Sequence, residues 1–201
     1  MIRVLLAEDQ GMVRGALKAL LSLEPDIEVV ADVARGDEAV SAALRTKPDV
    51  ALLDIEMPVQ DGISVAHELR DRLPSCRALI LTTFGRPGFM RRAMQSGAAG
   101  FLLKDAPAQE LARAIRRCAA GERVVDPVLA AAALAEGASP LSEREREVLS
   151  VSAGGLTIHE IAAGLSLSEG TVRNHLSQAI QKVGARNRAE AARMAEEKGW
   201  L

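Results

Sequence analysis

The 201-residue sequence contains no tyrosine, three phenylalanines and one tryptophan. So few rings exclude single-stranded nucleic-acid binding by base stacking, which needs a series of aromatic platforms. Its two cysteines, Cys76 and Cys118, have no CxxC spacing, the pattern of reduced cytoplasmic thiols rather than of a disulfide framework. No apolar run approaches the ~20 residues that span a bilayer. Two acids by position 9 also interrupt the opening MIRVLLAEDQ too early for a signal peptide. A cytoplasmic protein without membrane insertion is therefore expected. A strong charge of one sign is missing too. The net charge of −2 excludes a generally basic nucleic-acid protein but leaves room for a local basic patch. What is present, 48% apolar and 26% charged residues, suits a globular chain forming one large domain or two small ones.

Residues 1 to 120 alternate short apolar runs with longer helix-period stretches. IRVLLA (2–7), IEVVA (27–31), VALLD (50–54), ALILT (78–82) and GFLLK (100–104) read as strands. Between and after them, residues 12–23, 37–46, 63–73, 88–96 and 108–120 read as helices. Five strand–helix repeats predict a parallel sheet with right-handed crossovers and helices on both faces. The expected fold is α/β: a flavodoxin-like, doubly wound five-stranded domain with strand order 2-1-3-4-5.

Residues 121 to 140, GERVVDPVLAAAALAEGASP, carry Gly and Pro at their ends and an Ala-rich middle, which predicts a linker with one short helix. From Leu141 to the end no strand pattern recurs, and four helices are expected in a small all-α domain, 141–201. Ser142 with Glu145, and Thr157 with Glu160, have capping-box spacing.

In such a sheet the chemistry gathers beyond the carboxyl ends of the strands, near the reversal of strand order. Those ends deliver Glu8 and Asp9, Asp54, Thr82 with Thr83, and Lys104. Three carboxylates cannot all stay ionised at close range without a cation, and hard oxygen ligands suit Mg²⁺. A lysine on the same rim provides a fixed charge for an anion such as a phosphoryl group. Each residue alone has an ordinary explanation, since most strand-end aspartates are turn formers or caps. Their conjunction on four strands is the informative signal.

AED at 7–9, LLDIEMPVQDG at 52–62, ILTTF at 80–84 and FLLKD at 101–105 resemble the response-regulator receiver domain, and the resemblance covers residues 1 to 120. It implies that Asp54 is the phosphoacceptor for a sensor histidine kinase. It further implies that Glu8, Asp9, Asp54 and the backbone carbonyl of Glu56 hold Mg²⁺. By the same likeness Lys104 pairs with phosphoryl oxygens, Thr82 moves to hydrogen-bond one of them, and Phe101 is the aromatic that swings behind the threonine. Glu8 departs from the commoner Asp, a change that keeps an oxygen ligand. The likeness also implies homodimerisation on phosphorylation, through the face of helices 12–23 and 108–120.

TIHEIAAGL-SLS-EGTVRNHLSQAIQKVG has helix-turn-helix spacing. On its second helix Val172, Leu176, Ile180 and Val183 form one apolar stripe, and Arg173, Asn174, Ser177 and Gln181 fall on the outward side. Arg and Asn suit guanine and adenine edges. Residues 141–201 balance 8 basic against 8 acidic side chains, but 169–188 carry Arg173, Lys182, Arg186 and Arg188 against Glu169 alone. A solvated amphipathic helix is the ordinary alternative.

LSEREREVL (141–149) and residues 158–192 together resemble the LuxR-type effector domain of the NarL/FixJ branch. The resemblance implies a double-stranded DNA operator with two half-sites and, in transcription, RNA polymerase as a partner. Arg173, Asn174 and Ser177 match base-facing positions, and Thr157, Thr171 and Lys182 match phosphate contacts. Ser177 replaces the Lys often found there. The last helix, with Ala189, Ala191, Ala192 and Ala195, is expected to offer a small-residue surface where two protomers pair.

Two other classes compete with a phosphorylation-gated regulator. A haloacid-dehalogenase-type phosphatase also combines Asp, Thr and Lys, but needs an Asp two residues after its nucleophile, and position 56 is Glu. A phosphate-independent regulator would have a degenerate acidic rim, whereas every rim residue is present. The chain is therefore not expected to be an enzyme beyond catalysing its own Mg²⁺-dependent phosphorylation and dephosphorylation.

Overall fold

The computed structural model describes every residue except 84, 86, 128 and 132–138, and only the backbone at 87. Two compact units result, the first comprising Met1–Gly85 and Met90–Ala130, the second Arg86–Phe89 and Ala131–Leu201.

The first unit is a parallel sheet of β1 (Ile2–Ala7), β2 (Ile27–Val33), β3 (Val50–Asp54), β4 (Arg77–Thr82), β5 (Gly100–Leu103) and β6 (Val124–Val125). Their order is β2-β1-β3-β4-β5-β6. All five residues of β3 are buried, so both of its faces are covered, and its sequence is accordingly a continuous apolar run. β2 lies at an edge and mixes buried with exposed positions. Helices α1 (Gly11–Leu21), α2 (Gly36–Thr46), α3 (Gly62–Arg72), α4 (Pro87–Gln95) and α5 (Ala108–Ala119) form the crossovers. One core cluster joins Val4, Leu6, Val50, Leu52, Leu79 and Leu81 to Leu111, Ile115 and Cys118 of α5.

The sheet has six strands rather than the five expected from sequence. The Val124 N–H donates to the Ala99 carbonyl at 2.9 Å, and Val124 and Val125 pair with Gly100 and Phe101. These valines belong to the stretch expected to be linker, and their backbone pairs with the otherwise unpaired edge of β5. The short helix expected within 121–140 falls largely outside the described residues.

The second unit is helical: α6 (Glu143–Ala153), α7 (Ile158–Leu165), α8 (Glu169–Val183) and α9 (Arg188–Glu197). Both capping boxes form. Ser142 Oγ accepts from Glu145 N–H while Glu145 Oε2 accepts from Ser142 N–H, and Thr157 and Glu160 repeat the exchange. The core brings Val148, Leu149, Ile161, Val172, Leu176 and Val183 together with Ala191, Ala192, Ala195 and Trp200.

That core corrects the expected alanine surface. Ala191, Ala192 and Ala195 are 0%, 3% and 0% exposed, consumed in letting α9 lie close to its own neighbours. Ala189 alone of the four is exposed.

Candidate functional site

The carboxyl edge of the first unit's sheet brings the expected rim residues together. β1 delivers Glu8 and Asp9, β3 ends on Asp54, β4 on Thr82, and Lys104 follows β5. Lys104 Nζ stands 2.8 Å from Glu8 Oε2 and 3.0 Å from Asp54 Oδ2. Glu8 and Asp54 are buried and Asp9 is exposed, yet one oxygen from each lies within 4.8 Å of the others. Thr82 is buried, and its carbonyl accepts from the Lys104 N–H at 2.8 Å, which extends the β4–β5 pairing to these two strand ends. Phe101 is fully buried in β5, paired with Ile80 of β4.

The loop after Asp54 is shaped by close backbone approaches. The Ile55 carbonyl accepts from both Met57 and Gly62, and Glu56 lies exposed on the bend between. A Cβ on Gly62 would come 2.0 Å from the Asp54 carbonyl oxygen, and one on Gly36 would come 1.8 Å from that of Gln60. Only glycine lets α3 begin against the tip of β3, and α2 against the loop. Gln60 N–H donates to the Pro58 carbonyl at 2.9 Å, a three-residue turn holding Val59 at φ 72°. That conformation is strained for a β-branched residue.

In the second unit the outward face of α8 is as the sequence predicts. Arg173, Asn174, Ser177 and Gln181 are exposed, while Val172, Leu176, Ala179 and Val183 are buried. The other expected contact residues have intramolecular work. Thr157 caps α7 and also donates its hydroxyl to Glu160 Oε2 at 2.7 Å. Thr171 Oγ1 lies 2.8 Å from Ser168 Oγ. Lys182 Nζ meets both Glu145 oxygens at 2.8 Å.

Residues 4–116 match the response regulator receiver domain, and residues 139–195 match the bacterial regulatory proteins of the luxR family. The chain belongs to the LuxR-type response regulators. It is 49% identical to the transcriptional regulatory protein YvfU of Bacillus subtilis and 46% identical to DesR of the same organism, in both cases over the whole of each chain. Among solved structures it is similar to the response regulator ChrA of a heme-sensing two-component system. That likeness has 35% identity and a TM-score of 0.59, covering 100% of this chain and 98% of that one. It is thus a two-component response regulator with a receiver and a DNA-binding unit, a transcriptional regulator whose partners are a histidine kinase and DNA.

In this response regulator the acidic cluster is electrostatically tense. Burial pushes the Asp54 carboxyl above the usual aspartate range and Glu8 adds to the effect, against the opposing pull of Lys104. Burial disfavours the Lys104 charge, but the two carboxylates outweigh it and hold the ammonium above the usual lysine range. An all-oxygen donor set with surplus negative charge fits a hard divalent cation.

Two features of the response regulator were not anticipated from sequence. Arg14 Nη1 donates to the Glu8 carbonyl at 2.6 Å and reaches that of Asp9 at 3.4 Å, tying α1 to the acidic loop. A signal existed: a cation near the N-terminus of a helix with no acid in its first turn opposes the helix dipole. The other is Glu169, which accepts from Arg173 and meets His159.

Proposed function

We propose that Asp54 takes a phosphoryl group from a sensor histidine kinase, and that the phosphorylated chain pairs and binds an operator of two half-sites. The observation that carries this reading is the 3.0 Å approach of Lys104 Nζ to Asp54 Oδ2, with Glu8 and Asp9 alongside.

An Asp54 carboxylate oxygen attacks phosphorus in line. The P–N bond to the donor imidazole breaks and the nitrogen leaves with the electron pair. Lys104 then pairs with the phosphoryl oxygens. Glu8, Asp9, Asp54 and the Glu56 backbone carbonyl would hold Mg²⁺, which when bound offsets the charge of the transferred group. The chain's own catalysis is confined to acquiring and losing this group.

The new group adds roughly −1.5 to −2 charge beside Thr82. The Thr82 hydroxyl turns toward it and Phe101 follows, biasing the receiver toward pairing. The pairing face is that of α1 and α5. Met12 at 90%, Leu20 at 41% and Leu23 at 77% exposure on or beside α1 support it. Pairing matters because one electrically neutral module makes few phosphate contacts, whereas two linked modules gain from effective concentration.

On DNA, Arg173, Asn174 and Ser177 read base edges while Thr157, Thr171 and Lys182 approach phosphates. Lys182 does so by sharing its ammonium with Glu145. RNA polymerase is the partner through which such binding alters transcription, and the setting is the cytoplasm. The division is a receiver over 1–120, a linker over 121–140 whose first residues serve as an edge strand, and a DNA-binding domain over 141–201.

The test treats the full chain with phosphoramidate and Mg²⁺ and compares it with Asp54→Asn. Wild type gains the mass of one phosphoryl group, dimerises and binds DNA more tightly, and the variant does none of these. Equal dimerisation and binding by the untreated variant and the treated wild type would remove phosphorylation as the gate.

A further inference from the structure

Glu169 opens α8, one turn before Arg173. Its Oε2 accepts from Arg173 Nη2 at 2.7 Å, and its Oε1 lies 3.3 Å from His159 Nδ1 on α7. Arg173 thus engages one carboxylate oxygen, and the other lies against His159 of the preceding helix. An exposed i,i+4 pair adds little to stability, so its position is the informative part. It is the sole acid between 169 and 188, and it pairs with the exposed Arg173.

The other cations of this stretch are held differently. Lys182 is bound to Glu145, Arg186 to Glu190, and Arg188 donates to the Leu156 carbonyl. All three anchors lie outside α8. Arg173 alone is anchored from within α8, by the half-buried acid one turn before it.

We infer that Glu169 is a specificity-determining positioning residue, which holds the Arg173 guanidinium toward base edges and off the phosphate backbone. The inference rests on the reading of Arg173 as base-facing. An unanchored guanidinium is drawn to the nearest phosphate, a contact that carries no sequence information. Glu169 occupies one Nη, leaving the remaining donors of the fork for guanine O6 and N7. Pre-orientation lowers the cost of ordering the side chain at a matching base. At a non-matching site the same pair keeps Arg173 off the phosphates and weakens non-specific binding, so discrimination gains from both directions.

The test uses the full chain treated with phosphoramidate and Mg²⁺, as wild type, E169Q, R173A and the double variant. Each selects sites from a randomised duplex library, and each is titrated with a random-sequence duplex at fixed salt. Circular dichroism confirms that all four are folded. E169Q is expected to bind random duplex roughly fivefold more tightly and to lose preference at the same half-site position that R173A loses. The double variant then shows the base preference of R173A. If E169Q keeps the wild-type preference while R173A loses it, the inference fails and Arg173 remains a base reader. If R173A itself leaves the selected site unchanged, the base-facing reading fails and takes the inference with it.

Discussion

Lys182 of α8 and Glu145 of α6 form a two-pronged ion pair, with Nζ 2.8 Å from each carboxylate oxygen and the Glu145 side chain 3% exposed. Burial opposes ionisation of Glu145, but Lys182 and the Ser142 hydrogen bonds prevail and hold its pKa below the usual glutamate value. A lowered carboxyl pKa contributes stability above the unfolded-state pKa, and that stability is lost as pH falls through the folded-state value. Lys182→Met should cost about 2 kcal/mol at neutral pH, below the full cost for a buried pair because Lys182 is 41% exposed. Urea titrations from pH 3 to 7 should show wild-type stability rising through the carboxylate range and a flatter profile in the variant. Parallel profiles would mean the pair contributes no linked stability.

Lys104 neutralises two buried acids at once. Removing its charge as Lys104→Met leaves Glu8 and Asp54 facing each other and should destabilise the receiver by about 3 kcal/mol. Added Mg²⁺ should restore more of the melting temperature in this variant than it adds to wild type. Equal Mg²⁺ responses would show that lysine and cation do not answer the same charge excess.

Arg14 acts on the acidic rim through main-chain carbonyls. Arg14→Gln should loosen the loop at Glu8 and Asp9, weakening Mg²⁺ affinity about tenfold for the ~1.4 kcal/mol of a charged hydrogen bond. Calorimetric titration gives the affinity, and amide exchange at residues 8–10 reports the loop directly. An unchanged affinity with faster exchange would show that carboxylate placement does not depend on the clamp.

Val59 is 73% exposed and sits at φ 72°, so its side chain contributes little packing to set against the backbone strain. Val59→Gly should raise receiver stability by about 1 kcal/mol, because glycine has no Cβ to strain the γ-turn at this position. A lower melting temperature in the variant would locate stabilising contacts on the valine.

The strands and helices of the first unit were legible because each layer imposes its own period. Doubly covered β3 had to be apolar throughout, and surface helices had to alternate at 3.6 residues. The rim was legible because parallel strands end together, so residues far apart in sequence share one edge. β6 was not, since two valines between Arg123 and Asp126 have no period and owe their pairing to the backbone of Gly100 and Phe101. The roles of Ala191, Ala192 and Ala195 also escaped composition. Small residues suit a close approach equally well within a protomer or between two, and only the packing of α9 decides. Glu169 was visible as an isolated acid, but its link to His159 depends on the turn between the helices.

Because Val124 and Val125 are stitched to the sheet margin, the chain running on to the capping serine at 142 starts from a fixed anchorage instead of leaving at the end of α5. Changing those valines to residues that cannot hold the margin would detach the chain after α5 from the sheet and bare the backbone of Gly100 and Phe101.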